Sequence, residues 1–373
     1  MDFKRLFQMI SLGIAVNACQ YMKQETGNMS VALLNQDTKE LLPLTDDEKF
    51  DKNFQSLYDN VDGAWFSFGD SERIRDALKE LKSVPKFREI VSALPPEIIV
   101  GSSHFLAGNL SGAYNPKNKD VNVSSSVIGF DLLDSKKEGH TISEILFHEL
   151  FHAHQDYKRL ILNDNPSMFE VVVSQRLIEA EAYAWTDILQ EIRKNSSSGT
   201  YCLSNKDIQD FMNKDIILVE KQKLAKERIN KVSSHYLNYF KENNPSYCFQ
   251  QSLKESKGDL DKACHLMAVK RMRYYLSGKD IDWTQSYYKQ GSRFIIGLSQ
   301  KYKISKEGNE PAFKKLLSYY NKKYGLSEDE MVCIPSSFLI VPKLMEFSKN
   351  LDKYKGWSED HKKVFKPIAN KDR

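Results

Sequence analysis

Ile142-Ser-Glu-Ile-Leu-Phe-His148-Glu149-Leu-Phe-His152-Ala-His-Gln-Asp-Tyr157 is the stretch whose reading decides the fold. Within it, His148 to His152 reads HExxH. Residues four apart on a helix lie one turn apart on the same face, so both imidazoles can reach one metal ion. Glu149, beside the first histidine, can reach a water on that ion. The surroundings predict the helix that this arrangement needs. Leu146, Leu150, Ala153 and Tyr157 follow at i, i+4, i+7 and i+11 as an apolar stripe, and Ser143 is the expected N-cap. No Gly or Pro occurs from Thr141 to Asn165. A longer HExxHxxGxxH pattern is excluded, because Gln155 stands at the glycine and Lys158 at the third histidine. His154 lies about 240° around the helix from His148, away from the metal face.

A third ligand therefore comes from elsewhere. Met168–Lys194 reads as one long helix and carries Glu170, Glu179 and Glu181. Glu179 is the best placed, because the alanines around it let another helix approach closely and Ala182 lies three residues on, on the same face. Glu181 and then Glu170 are the alternatives. A catalytic zinc ordinarily keeps three protein ligands and one open position.

His148–His152 followed by Glu179-x-x-Ala182 resembles the gluzincin peptidases, in which a second helix supplies a glutamate to the zinc. His148–Gln155 also resembles the HELxHAxQ motif of metallopeptidase-like domains in bacterial proteins of unknown function, with Glu179–Ala182 matching their EAxA segment. The resemblance spans roughly residues 95–185, about a quarter of the chain. It implies a zinc peptidase acting on a peptide or protein substrate. Zinc would be held by His148, His152 and Glu179. Glu149 would serve as general base, taking a proton from water and returning it to the leaving amine. It also implies an oxyanion donor from the downstream helices, for which His235, His265, Tyr287 and Tyr288 are candidates. One departure is Tyr183, where many gluzincins carry an aspartate that orients a zinc histidine; Asp156, one turn after His152, could partly replace it.

Outward from this centre, helical periodicity covers Asp46–Tyr58, Ser71–Leu81 and Pro85–Leu94, and Glu97–Val100 reads as a strand. Val121 and Val123 alternate with polar residues after an Asn115-Pro116 turn, so Gly112–Ser126 reads as a hairpin. Its Lys119–Ser125 arm is the expected edge strand for an extended substrate. Ser30–Leu34 is a further strand candidate. Asn195–Thr200 is the clearest linker. Beyond it Asp207–Phe240 (one long helix or a pair), Leu260–Leu276, Trp283–Lys301 and Pro311–Lys323 read as helices. The expected fold class is α+β: a small, mostly antiparallel sheet with the HExxH and glutamate helices, then a mostly helical C-terminal half. The expected organisation is an N-terminal segment to residue 45, a catalytic domain over 46–195, a helical domain over 201–348 and a polar tail over 349–373.

Composition bounds the alternatives. The chain has 373 residues, 41% hydrophobic and 28% charged, with 54 basic against 50 acidic side chains and a net charge of +4. This balance argues against a nucleic-acid partner, and no apolar run is long enough for an internal transmembrane helix. The 5 cysteines are widely spaced, and neither a disulfide framework nor a metal knuckle can be read from them, though a single bridge stays open. Met1–Arg5 is basic, Leu6–Val16 mostly apolar, and Asn17-Ala18-Cys19 follows. This segment reads as a short export signal or as an amphipathic helix, so exported and cytoplasmic locations both stay open. Two other functions stay open as well. The aromatic-rich C-terminal half suits a non-catalytic interaction or effector protein on the same scaffold, and the same metal chemistry suits an amidase acting on a non-peptide amide.

Overall fold

The computed structural model describes residues 32–34, 41–43, 45–62, 69–103, 111–124, 141–158, 160, 168–226, 234–277 and 311–332. They fall into two compact units, one drawn from residues 1–159 and 192–204, the other from 160–191 and 205–373.

In the first unit, β1 (Ala32–Leu34) and β2 (Leu41–Pro43) pair antiparallel. Helix α1 (Asp46–Asp59) starts on a capping box in which Thr45 and Glu48 each accept the other's backbone N–H. Strand β3 (Val61–Asp62) precedes α2 (Asp70–Leu81) and α3 (Pro85–Ala93), which carries Pro at its first turn, where the missing N–H costs nothing. Phe50 and Phe54 of α1 pack edge-on against Phe87 of α3. Next come β4 (Ile99–Ser103), β5 (Gly112–Asn115) and β6 (Asp120–Ser124), then α4 (Ile142–Tyr157) and α5 (Met168–Asn195). Only the last residues of α5 belong to the first unit.

The four-stranded sheet has the order β3-β4-β6-β5. The α+β class is observed, but the sheet is mixed and not mostly antiparallel. β3 pairs parallel with β4 and β4 parallel with β6, while only β5 and β6 are antiparallel. The cause is connection length. α2 and α3 carry the chain back between β3 and β4, which lets those strands run the same way. The tight turn at Pro116–Lys119 forces β5 and β6 to oppose. In that turn Asn115 Oδ1 accepts the Lys117 N–H at 3.0 Å, and Lys119 adopts φ 55°. The edge assignment is corrected too: β6 lies between β4 and β5, with Val121 and Val123 fully buried, and among the described residues it is β5, its hairpin partner, that lies at that edge of the sheet.

In the second unit, α6 (Asn205–Asn213), α7 (Ile216–Lys226) and α8 (Ser234–Asn243) stand where one long helix or a pair was expected over Asp207–Phe240. The break has a visible cause. Gln250 donates to the carbonyls of Phe211 and Lys214, satisfying the end of α6, and Asp215 accepts the Leu218 N–H to start α7. Gln250 sits on α9 (Pro245–Glu255), which packs against α6, α7, α8 and α10 (Leu260–Leu276). Phe249, Leu253, Met267 and Met272 are fully buried in that packing. α11 (Pro311–Tyr324) and α12 (Glu328–Val332) follow. No helix among the described residues is long and apolar enough to cross a membrane. The expected N-terminal signal, the Trp283–Lys301 helix and the polar tail lie outside the described residues.

Candidate metal centre

The start of α4 is fixed by Thr141, not Ser143. Thr141 Oγ1 accepts the Glu144 N–H at 3.2 Å, and Glu144 Oε2 accepts the Thr141 N–H at 3.1 Å. Ser143 points elsewhere and donates to Glu80 on α2 at 2.6 Å. Glu144 is fully buried, and its other oxygen pairs with Arg193 of α5 at 2.7 Å. Thr141 also shares a 2.8 Å hydrogen bond with Tyr201. The first turn of α4 is thus tied to the last turn of α5. Leu146, Leu150 and Ala153 are buried as the apolar stripe requires, while Tyr157 at the C-terminal end is 58% exposed. α4 packs on β5, β6, α2 and α3, which fixes the rotation of the helix and so the direction of its histidines.

His148 and His152 meet side by side on successive turns. Their Nε2 atoms are 3.1 Å apart and their rings stand at 86°. Two ligands of a tetrahedral zinc with bonds of 2.0–2.1 Å would be separated by about 3.3 Å. The ligand atoms of His148, His152 and Glu179 all lie within 4.8 Å of one another, and these residues form a group that could hold a metal ion. The donor chemistry fits. Two imidazole nitrogens and one carboxylate oxygen leave room for a fourth ligand on a divalent ion.

Of the three glutamates weighed on α5, Glu179 belongs to this group. Glu181 does not, because its buried carboxylate accepts from Tyr320 at 2.9 Å, from Tyr324 at 2.5 Å and from Lys323 at 2.6 Å, all on α11. The two residues are about 200° apart around the helix, so they cannot share a target. Glu170 is buried near the start of α5, outside the group. Glu179 and Arg193 are separated by nearly four turns, which puts them on about the same face of α5. Ala180 and Ala182, on either side of Glu181, are buried.

Glu149 is buried, and β5 lies directly against it. A Cβ added to Gly112 would fall 2.9 Å from Glu149 Cγ, 3.0 Å from its Oε1 and 2.7 Å from Ile145 Cγ2. Only glycine fits there without displacing the carboxylate. Gly112→Ala should therefore lower any Glu149-dependent turnover by about 100-fold through a shift of roughly 1 Å, and cost about 1–3 kcal/mol of stability. Kinetics and thermal melting of the variant, with metal content as control, check this; turnover equal to wild type would contradict it.

Asp156 does not take up the role expected of it. Its carboxylate accepts from Tyr114 of β5 at 2.9 Å, a link from the outer strand to α4, and burial pushes its carboxyl above the usual range. The partner of His152 is instead Gln155, whose Oε1 lies 2.9 Å from His152 Nδ1. Tyr183 is 45% exposed and packs on Tyr275. His154 is buried beside Phe151, off the metal face as predicted. Of the oxyanion candidates, His265 stacks on Tyr324 within the second unit. Tyr287 and Tyr288 lie outside the described residues, as does the side chain of His235. Gly112 and Gln155 are the site neighbours that sequence reasoning missed. For Gln155 a signal existed, since it stands three residues after His152 and so on its face of the helix. For Gly112 nothing local marked the contact. No family model, curated protein or solved structure matches this chain.

Proposed function

We propose that the chain is a metal-dependent peptidase, with zinc as its ion and an extended peptide as its substrate. The observation that carries this reading is the convergence of His148, His152 and Glu179 from separate stretches of chain, with Glu149 on the same helix as both histidines. A zinc ion in this group would acidify water and polarise a substrate carbonyl. Glu149 would take a proton from that water and return it to the departing amine. Burial of Glu149 between α4 and β5 keeps competing bulk water away from its carboxylate.

The outer strand supplies a way to hold the substrate. Ser124 N–H bonds to Ser111 C=O at 2.8 Å across the ladder, so that pair is the hydrogen-bonded kind. The alternation of an antiparallel ladder then directs the backbone groups of Gly112 away from β6. An extended peptide pairing there would run beside Glu149. The same nitrogen and oxygen donors also suit iron or other divalent ions, which makes elemental analysis the first measurement.

The test is metal content of the purified full chain, with single-residue variants. Wild type should carry close to one zinc per chain and cleave an unfolded protein such as casein. His148→Ala and Glu179→Ala should each lose bound zinc and all cleavage. Wild type that takes up no divalent ion, or Glu179→Ala with undiminished zinc, would sink the assignment.

A further inference from the structure

We infer that Gln155 is a positioning residue that holds His152 in the one tautomer able to bind a metal. The inference rests on the metal-centre reading above but is measurable without it.

An amide oxygen can only accept a hydrogen bond. Gln155 Oε1 stands 2.9 Å from His152 Nδ1, so that nitrogen carries the proton. In a neutral imidazole the other nitrogen is then bare. His152 Nε2, stripped of its proton, is the atom that faces His148 Nε2 at 3.1 Å. A free imidazole has both tautomers open to it, and one of them places a proton where an ion must sit. Gln155 removes that choice. It is 1% exposed, which denies water the same position and keeps the acceptor fixed on its own helix. The amide is also neutral, so it orients the ring without adding a second negative charge beside Glu179. Ligating histidines commonly give their outer N–H to a carboxylate or backbone carbonyl. Here that acceptor comes from three residues along the same helix, so ring and acceptor move as one body. The carboxylate that could have served, Asp156, is engaged by Tyr114.

The opposite network is equally specific. With the amide reversed, Gln155 would donate to His152 Nδ1, and His152 Nε2 would carry a proton toward His148. The two arrangements separate cleanly in the metal-free full chain labelled with ¹⁵N-histidine. A long-range proton–nitrogen correlation spectrum, with the His152 signals assigned by their loss in a His152→Asn variant, should show Nδ1 protonated and Nε2 bare. Wild-type His152 found protonated at Nε2 overturns the proposal. In Gln155→Leu and Gln155→Met the signal should move toward the Nε2–H form. Zinc affinity, measured by competition with a chromogenic chelator, should weaken about 10–100-fold in both. Gln155→Glu, which still accepts from Nδ1, should restore affinity to near the wild-type value. Unchanged affinity in folded Leu and Met variants, as judged by melting of the metal-free proteins, also overturns it. Should wild type bind no metal at all, the peptidase reading falls, and the tautomer of His152 still decides the role of Gln155.

Discussion

Replacing Glu149 by Gln should stop peptide hydrolysis while leaving zinc in place. The substitution keeps the shape that fits beneath Gly112 and removes only the capacity to accept a proton. The three proposed ligands are untouched, so metal content should equal that of wild type. A positioned general base contributes about 10²–10⁴-fold to such a reaction, and in the proposed mechanism the same group would also protonate the leaving amine, so a loss at the upper end is expected. The measurement is cleavage rate and zinc stoichiometry on one preparation. Undiminished cleavage would mean that another group handles the proton. Loss of zinc together with activity would mean that Glu149 serves the site as a ligand.

Glu181→Ala should destabilise the second unit by about 3–5 kcal/mol, the usual cost of removing one partner from a buried ion pair. The Lys323 ammonium would remain within 23% exposure with no counter-charge, and the Tyr320 and Tyr324 hydroxyls would lose their acceptor. Burial pulls the Lys323 ammonium down, but the Glu181 carboxylate outweighs it and holds the group above the ordinary lysine value. A raised lysine contributes stability that is complete below its unfolded value and is lost only as pH rises through the folded one. The loss in the variant should therefore be constant from pH 5 to 9. Urea unfolding monitored by circular dichroism measures it. The double variant Glu181→Leu/Lys323→Met should recover much of the loss, since a buried pair replaced by apolar side chains is often neutral. A cost below about 1 kcal/mol would show that water already reaches the pair.

What was legible in the chain was periodic. The HExxH helix, the long helix after it and Leu260–Leu276 follow from apolar spacing, and their observed bounds agree within a residue or two. Glu179 was legible as the glutamate set among small alanines, and it is the one of the three weighed that joins the histidine group. Three things were not legible, each for a physical reason. Strand direction depends on where connections return the chain, which no local pattern encodes, so the parallel pairing of β4 with β6 was missed. The break after α6 in the Asp207–Phe240 stretch depends on Gln250, a side chain more than thirty residues away in sequence. And the fates of Asp156 and Glu181 were decided by partners on other elements, Tyr114 and the α11 tyrosines and lysine, which only the folded chain brings near.

Because α5 is an uninterrupted rod, the residues it carries are coupled in phase. Arg193 anchors one end through Glu144, and Glu179 answers almost four turns away. A single inserted or deleted residue between them would rotate one relative to the other by about 100° and would bring neither Glu179 nor Glu181 to the histidines. If the metal-centre proposal holds, the number of residues from 179 to 193 matters to the site as much as their identity.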